Sequence, residues 1–283
     1  MKIQLLSDLH LEVHPHWQPT PAAGADLLVL AGDIGSYQAS SQLSDSDFGL
    51  ARFSPLRGWP TPVIFIPGNH EYDTYDFDIA HTRLRETCGR LGMIWLERET
   101  WVWPAQWPAL SVRFIGTTLW SDFDALGPTR TQALAGPGDT HLLAQQLKAR
   151  TKACRAADYY LRKTGTTRQG ALMLSDAVRE QSLACQDWLS GQLAQPFEGT
   201  TVVVTHFAPS LLSADPRYGN TPGTAGFCNA LDDLLPLAQV WLHGHLHAPC
   251  NYVHQGCHVV ANPLGYARKN EQAAFDPTLC IEV

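Results

Sequence analysis

Side chains of the types that can bind metal ions follow directly after five apolar segments of the chain. Each segment is short and rich in leucine or β-branched residues, which is typical of a strand buried on both faces. The side chains that follow are those of Asp8 and His10, Asp33, Asn69 and His70, His206, and His245 and His247. One histidine beside a strand is usually structural. Five such endings predict a common site, because the carboxyl ends of parallel strands meet at one edge of a sheet.

The third of these endings is the most abrupt. The run Val63–Ile66 lies between Pro62 and Pro67, and Asn69 and His70 come directly after the turn. Proline and glycine stop regular structure, so the pattern predicts a buried strand that ends where polar side chains begin.

The residue types favour one kind of metal chemistry. Carboxylate, imidazole and amide oxygen without thiolate favour manganese, iron or zinc at catalytic positions, and they disfavour a cysteine-rich structural zinc site. The carboxylate of Asp33 could bridge two cations with its two oxygens. His245 and His247 are two residues apart, so both imidazoles point to the same side if that segment is extended.

The composition disfavours several function classes. A net charge of −7 argues against broad electrostatic binding to nucleic acid or to an anionic membrane. No apolar run approaches the length of a membrane span, and the first predicted strand begins at Lys2, which leaves no room for a signal peptide. The seven cysteines are scattered and form no Cys-x-x-Cys pair. They predict reduced thiols in a cytoplasmic protein.

Helical patterns lie between the strands. A face of apolar residues predicts a helix that ends around residues 89–92; its members are Ile79, Leu84, Cys88 and Leu91. Residues of about 140–193 form an inserted segment with two long helical patterns, joined by a glycine- and threonine-rich turn at 164–170. This segment could act as a lid or a dimer surface, and we expect it mainly to cover the sheet.

The motifs, taken in order, resemble those of the calcineurin-like metallophosphoesterase family. They are Asp8-x-His10, Gly32-Asp33, Gly68-Asn69-His70-Glu71, His206 and Gly244-His245-x-His247. The resemblance spans residues 1 to about 266, and the segments at 116–120 and 262–266 are similar to those of small bacterial members described as predicted phosphohydrolases. It implies an α/β fold, a four-layer α/β/β/α sandwich of two mixed β-sheets flanked by helices. We expect residues 1–283 to form a single domain that includes the helical insertion.

The resemblance also implies two metal ions, most often manganese or iron, with zinc as an alternative. One ion would be held by Asp8, His10, Asp33 and His247, and the other by Asp33, Asn69, His206 and His245. His70 matches the family's non-ligand histidine, which stabilises the transition state or protonates the leaving oxygen. His243 matches no ligand position, and we expect it to be structural or to support the ligands.

The implied activity is hydrolysis of a phosphate ester by in-line attack of a hydroxide that bridges the two metals. We expect a small phosphodiester as substrate, because the motif loops carry no arginine or lysine that would recognise the extra charge of a monoester. Arg217 and Arg268 are the only weak candidates for that role.

Other functions stay open at this point. A phosphomonoesterase or nucleotide hydrolase would use the same metal site, whereas a non-catalytic scaffold would typically lose ligands that this chain keeps. A nuclease for long DNA or RNA is disfavoured by the acidic composition. Substrate-binding residues are not identified, and four tyrosines could shape a pocket or simply pack: Tyr37, Tyr72, Tyr218 and Tyr266. A homo-oligomer is possible.

Overall fold

The computed structural model describes residues 1–103, 110–128 and 140–283. Its strands are β1 (Lys2–Leu6), β2 (Leu27–Ala31), β3 (Val63–Ile66), β4 (Ile94–Trp95), β5 (Glu99–Trp103), β6 (Val112–Thr117), β7 (Thr167–Arg168), β8 (Ala171–Leu172), β9 (Thr200–Thr205), β10 (Val240–His243), β11 (Cys250–His254), β12 (Cys257–Ala261) and β13 (Cys280–Glu282). Its α-helices are α1 (Phe77–Leu91), α2 (Thr140–Thr164) and α3 (Ser175–Leu193).

The strands form two large mixed sheets and one small hairpin. The first sheet has the order β13-β1-β2-β3-β4, in which β1 to β4 are parallel and β13 is antiparallel. The second has the order β11-β12-β10-β9-β6-β5, with a parallel centre and an antiparallel strand at each edge. The hairpin of β7 and β8 forms the turn of the inserted segment.

Successive residues of a strand point to opposite faces and belong to two different apolar clusters, which shows how the layers pack. Leu27 and Val29 of β2 belong to an apolar cluster with Val202 and Val204 of β9, so these faces of the two sheets pack against each other. The intervening residues, such as Leu28, belong to a second cluster that includes residues of the helices. The α/β fold with two mixed sheets flanked by helices is therefore confirmed.

The prediction that the five polar strand endings lie at the edge of one sheet is wrong, because they are divided between the two sheets. Strands β1, β2 and β3 lie in the first sheet, and β9 and β10 lie in the second. A fully buried strand has no polar face, so its sequence does not reveal which sheet it joins. The site consequently lies where the carboxyl ends of two sheets meet.

Helix α1 begins and ends at residues suited to those positions. The Asp76 side chain accepts hydrogen bonds from the backbone N–H groups of Asp78 and Ile79, at 3.1 and 3.4 Å. Gly92 follows the helix with a φ of 70°, a conformation that glycine adopts without strain. The prediction that Ile79 lies on the buried face is wrong, because this side chain is 66% exposed. Phe77 and Ala80 take that place beside Leu84.

The two helices of the inserted segment pack on different parts of the molecule. Helix α3 buries Val178, Cys185 and Leu189 and contacts β6 of the second sheet, as expected for a helix that covers a sheet. Helix α2 packs on α3 and on the short 3-10 helix Pro222–Gly226.

The structure also describes the state of the cysteines and the character of the helices. All seven cysteines are free, including Cys250 and Cys257 on the neighbouring strands β11 and β12. Among the described residues, none of the helices is both long enough and apolar enough to span a bilayer.

Candidate metal centre

The turns after the five strands bring seven predicted site residues together. Ligand atoms of one group lie within 4.8 Å of one another, and the group consists of Asp8, His10, Asp33 and His247. A second group meets the same criterion and consists of Asp33, His206 and His245. Asn69 adjoins this second group, because its Oδ1 lies 3.2 Å from His206 Nε2. Asp33 belongs to both groups, as a bridging carboxylate would.

Imidazole nitrogens approach each other closely in both groups. His10 Nε2 lies 3.0 Å from His247 Nε2, and His206 Nε2 lies 3.2 Å from His245 Nδ1. His206 Nδ1 donates a hydrogen bond to the carbonyl oxygen of Ala31, which directs Nε2 towards Asp33. Nitrogen atoms that converge in this way are typical of ligands arranged around a cation.

The backbone of the site is strained. A positive φ between 46° and 71° occurs at Asp8, His10, Asp33, His245 and His247. Residues with a side chain rarely adopt this conformation, and each instance costs about 1 kcal/mol or more. Such strain concentrates at functional sites, where the turn must present a side chain at one particular angle.

Glycines allow the turns to approach the carboxylates. A Cβ atom on Gly68 would overlap Asp33 Oδ1, and one on Gly244 would lie 2.6 Å from Asp8 Oδ2. The Asp8 carboxylate also accepts hydrogen bonds from the backbone N–H of His245, at 2.9 and 3.0 Å. The glycines in the motifs therefore serve the close packing of these turns, within the first sheet at Gly68 and between the two sheets at Gly244.

Three carboxylates that the sequence motifs do not include orient the histidines. Glu12 accepts a hydrogen bond from His10 Nδ1 at 2.9 Å, and Glu271 accepts one from His247 Nδ1 at 2.7 Å. These bonds leave Nε2 of each ring directed at the site.

Asp73 plays the same part for His70, whose Nδ1 lies 2.6 Å from Asp73 Oδ2. The spacing of Glu12 and Asp73, two and three residues after their histidines, is a signal that the sequence offers. Glu271 gives no such signal, since it lies 24 residues from His247.

Glu71, the last residue of its motif, supports the backbone. Its buried carboxylate accepts hydrogen bonds from the N–H groups of Gly68, Asp33, Ile34 and Gly35, at 2.7, 3.1, 2.6 and 3.3 Å. Burial and the nearby charge of Asp33 raise the pKa of Glu71 to about 8. Glu71 thus joins the turns that follow β2 and β3.

The charges at the site are mutually dependent. Burial opposes ionisation of Asp8, but a hydrogen bond and the charge of His247 outweigh it and hold the pKa of Asp8 below its usual value. Burial likewise opposes ionisation of Asp33, whose pKa the charges of His206 and His70 hold well below the usual value. Burial and the charge of His206 hold the pKa of His245 well below the usual range. His245 is therefore neutral and offers a free lone pair.

Two buried atoms of the candidate ligands lack hydrogen-bond partners within the part of the chain that the structure describes. Asp33 Oδ2 lies 3.2 Å from His206 Nε2 but accepts no hydrogen bond, and His245 Nε2 has no partner. An unpaired buried polar atom is costly unless an ion or water satisfies it. These two atoms, with the carboxylate and imidazole donors around them, fit a divalent cation.

Comparison with known proteins places the chain in a family. The sequence model of the calcineurin-like phosphoesterase family matches residues 1–249. The chain belongs to this family. The resemblance inferred from the motifs is confirmed, and membership in the calcineurin-like family makes hydrolysis of phosphate esters the expected class of activity. The two groups of residues form a candidate dinuclear metal site.

Several individual proteins are similar to this family member. Uncharacterized protein L509 of Acanthamoeba polyphaga mimivirus is 24% identical over 270 residues, which cover 90% of this chain and 83% of that protein. Phosphopantetheinyl hydrolase (PptH) from Mycobacterium tuberculosis has a TM-score of 0.63 at 19% identity, covering 96% of this chain and 92% of that chain. A dimetal phosphatase from Danio rerio has a TM-score of 0.45 at 13% identity, covering 98% of this chain and 89% of that chain. The likeness to PptH supports the fold alone.

His70 lies at the edge of the calcineurin-like site. Its backbone N–H donates a hydrogen bond to Asp33 Oδ1 at 2.8 Å, and its ring centroid lies 5.1 Å from that of His10. Burial lowers the pKa of His70, but the charges of Asp73 and Asp33 outweigh burial and raise it well above the usual value. His70 therefore carries a proton beside the candidate ligands.

His243 lies apart from both groups. It is buried, and its Nε2 lies 3.0 Å from Ser213 Oγ. Burial lowers the pKa of His243 to about 4, so the ring is neutral.

One of the four tyrosines considered for a pocket reaches the site residues. Tyr266 stacks on His10, with ring centroids 4.3 Å apart. Tyr72 is buried against Phe77, whereas Tyr37 packs against Phe48.

Tyr218 is exposed beside Arg217, and Arg217 pairs with Asp215 at 2.6 Å. Arg268 lies nearer the site, with its guanidinium carbon 5.2 Å from the centroid of the Tyr266 ring.

The inserted segment reaches the edge of the site. A small cavity of about 20 Å³ lies between Asn69 and Asp73 on one side and Leu161 and Met173 on the other. The backbone N–H of Thr74 donates a hydrogen bond to the carbonyl oxygen of Thr164, the last residue of α2, at 2.8 Å. The segment therefore forms part of the surroundings of the His70–Asp73 pair.

Proposed function

We propose that this protein is a dinuclear metal-dependent phosphodiesterase that hydrolyses small phosphodiesters. The observation that carries the proposal is the position of Asp33, whose carboxylate belongs to both groups of ligand atoms and keeps one oxygen without a hydrogen bond. A shared carboxylate is what two adjacent cations require.

The proposed ligands divide into two sets. Asp8, His10, Asp33 and His247 would hold one ion, and Asp33, Asn69, His206 and His245 would hold the other. Oxygen and nitrogen donors without thiolate favour manganese or iron, with zinc as an alternative. Two bound ions lower the pKa of water and stabilise the negative charge on phosphoryl oxygens.

His70 is proposed as the proton donor to the leaving oxygen. Its charged form is favoured by Asp73, which holds Nδ1, so Nε2 is left to face the substrate. Asp73 thus fixes the orientation of the His70 ring and also favours its protonated form. His70 would act without binding metal.

The charges around the site support a diester. Among the described residues, no arginine or lysine forms an ion pair with Asp8 or Asp33. A monoester carries one more negative charge than a diester and gains more from a directly placed cation.

A phosphomonoesterase or nucleotide hydrolase is the second candidate. Arg268 and Lys269 both lie near the Tyr266 ring, at 5.2 and 5.1 Å, and Tyr266 stacks on His10. A substrate with an additional phosphate could use these cations. This arrangement is less direct than an ion pair at the ligands, so we rank it second.

Hydrolysis of bis-p-nitrophenyl phosphate and p-nitrophenyl phosphate tests the choice. Protein stripped of metal is refilled in turn with manganese, iron, zinc and magnesium, and kcat/KM is measured for both substrates. A preference for the diester with manganese or iron supports the proposal, and a preference for the monoester favours the second candidate. A phosphopantetheinyl diester belongs among the further substrates, because PptH has a similar fold. Full metal loading without turnover of any substrate would contradict both candidates and favour a scaffold.

We also propose that residues 1–283 act as a single domain in the cytoplasm. The seven free cysteines support a reducing compartment.

A further inference from the structure

The two sides of the candidate metal centre have different surroundings. On the His245 side, the Phe207 ring stacks on the imidazole with centroids 3.9 Å apart, and the Phe227 ring lies 5.1 Å from it. Phe207 is buried, whereas Phe227 is 41% exposed. This side is therefore apolar and presents one aromatic ring to solvent.

The His10 side carries cations. Tyr266 stacks on His10, and both Arg268 and Lys269 lie over the Tyr266 ring. Lys269 pairs with Glu271 at 3.7 Å, so Arg268 is the cation that a negatively charged or polar substituent would meet on this side. An apolar substituent would be favoured beside Phe227.

The backbone holds Phe227 in a defined position. It follows the 3-10 helix Pro222–Gly226, where the side chains and backbone of Thr221 and Thr224 form a capping box. The N–H groups of Phe227 and Cys228 both donate to the carbonyl oxygen of Thr224, at 3.0 Å. An exposed apolar side chain is ordinary by itself, but one that is fixed against a candidate ligand is placed to contact a substrate.

The inserted segment supports the same short helix. Ala225 is fully buried, and its carbonyl oxygen accepts a hydrogen bond from Ser121 Oγ. A Cβ atom on Gly226 would lie 3.9 Å from the side chain of Ala157 in α2, so α2 packs directly against this helix. These contacts hold in place the short helix that precedes Phe227.

We propose that Phe227 determines substrate specificity by packing against an apolar substituent, preferably an aromatic ring, of the phosphoester bound at the candidate metal centre. This inference rests on the proposed function and names the class of substrate more closely. The favoured substrate is a phosphodiester with one flat apolar group. A ring of the substrate and the Phe227 ring would pack as aromatic pairs do, which favours such a substrate by about three- to ten-fold over an alkyl one.

Binding of two phosphonates to the manganese-loaded protein tests the inference without turnover. Phenylphosphonate and methylphosphonate carry the same anionic group and differ in the apolar substituent. Isothermal titration calorimetry gives the ratio of their Kd values for the wild-type protein and for the Phe227→Ala and Phe227→Leu variants. We expect the wild-type protein to prefer phenylphosphonate, Phe227→Ala to lose about three- to ten-fold of that preference, and Phe227→Leu to keep part of it.

The Tyr160→Ala variant is the matched control, because it also removes an aromatic ring, from a residue of α2 that is 62% exposed. This variant should keep the wild-type ratio of the two Kd values. Equal ratios in wild type and Phe227→Ala would overturn the inference while leaving the proposed function intact. If the loaded wild-type protein bound neither phosphonate, the inference would fail, whereas the proposed function would fail only if the loaded protein also left bis-p-nitrophenyl phosphate unhydrolysed. Thermal unfolding of each variant shows whether it is folded, and Phe227→Leu tests the same contact if Phe227→Ala is not.

Discussion

At the scale of single residues, carboxylates behind the histidines determine what the candidate site can bind. Glu12 and Glu271 each hold one ring nitrogen, so the opposite nitrogen of His10 or His247 is the one directed at the candidate metal site. Neither carboxylate belongs to a motif. Each lies within 2.9 Å of its histidine, whereas the ring nitrogens of the proposed ligands lie 3.0 to 3.2 Å from one another.

Replacing either carboxylate by its amide should weaken metal binding. We expect Glu12→Gln and Glu271→Gln to raise the Kd for manganese by about 10- to 100-fold, because the ring loses a charged partner while the size of the side chain is kept. Calorimetric titration of the stripped protein measures this. Glu86→Gln is the control, since Glu86 is exposed on α1 and should leave the Kd unchanged. Unchanged affinity in both test variants would show that the pairs do not orient the ligands.

His70 and Asp33 should respond differently to substitution. We expect His70→Ala to keep its metal and lose about 10²- to 10⁴-fold in kcat, as for loss of a general acid. We expect Asp33→Asn to lose both metal and activity, because the shared carboxylate would be gone. Elemental analysis beside kcat separates the two outcomes. A His70→Ala protein that holds no metal would show that His70 is a ligand.

Metal binding should become tighter as the pH rises from 6.5 to 9. Burial lowers the pKa of His206 and of His247, but Asp33 raises that of His206 to about 9, and Asp8 with Glu271 raises that of His247 to about 9. Protons therefore compete with the cation below that pH, and binding releases them. Titrations in buffers of different ionisation enthalpy measure the release. Affinity that is constant between pH 6.5 and 9 would contradict the protonated state of the free site.

At the scale of elements, the strands were predictable because their residues are buried on both faces. The run Val63–Ile66 is a strand, and its abrupt end places Asn69 and His70 at the site, as the sequence predicts. The division of the strands between two sheets was not predictable, because runs that are apolar on both faces show no alternation of apolar and polar residues.

Other features depend on distant contacts. The pairing of β13 with β1 joins residues from opposite ends of the chain. The exposure of Ile79 depends on which side of α1 meets the sheet, a choice that the helical period does not fix when apolar residues lie on several sides. Glu271 reaches His247 through tertiary packing alone.

The packing of α3 on the second sheet should be important for stability. Leu189 is fully buried, and we expect Leu189→Ala to lower the free energy of unfolding by about 2–5 kcal/mol through the cavity that it leaves. Leu183→Ala, on the exposed side of the same helix, should change it by less than about 0.5 kcal/mol. Urea denaturation measures both. Equal effects would mean that α3 does not form this contact in solution.

At the scale of the whole molecule, each set of proposed ligands includes residues from both sheets. The set around Asp8 takes His247 from the turn after β10, and the set around Asn69 takes His206 from the turn after β9. An ion in either set would therefore connect the two sheets as well as bind substrate.

Removal of metal should accordingly destabilise the fold. An ion present at 100 times its Kd stabilises the folded state by about 2.7 kcal/mol. We expect chelation to lower Tm by about 4–5 °C, because 283 residues have an unfolding entropy of about 0.6 kcal/mol/K. Differential scanning calorimetry with and without a chelator tests this. The Asp33→Asn variant is the control, because a protein that holds no metal should show no shift on chelation.

The same arrangement sets the order of events during protein synthesis. His10 and His247 are 237 residues apart in the sequence, although their Nε2 atoms are only 3.0 Å apart in the fold. The ribosome makes Asp8, His10 and Asp33 before it makes β10, and the first proposed set is complete only once His247 has been added. A chain that is cut short before β10 would therefore carry three of the four proposed ligands of each set, and neither proposed metal site would be complete.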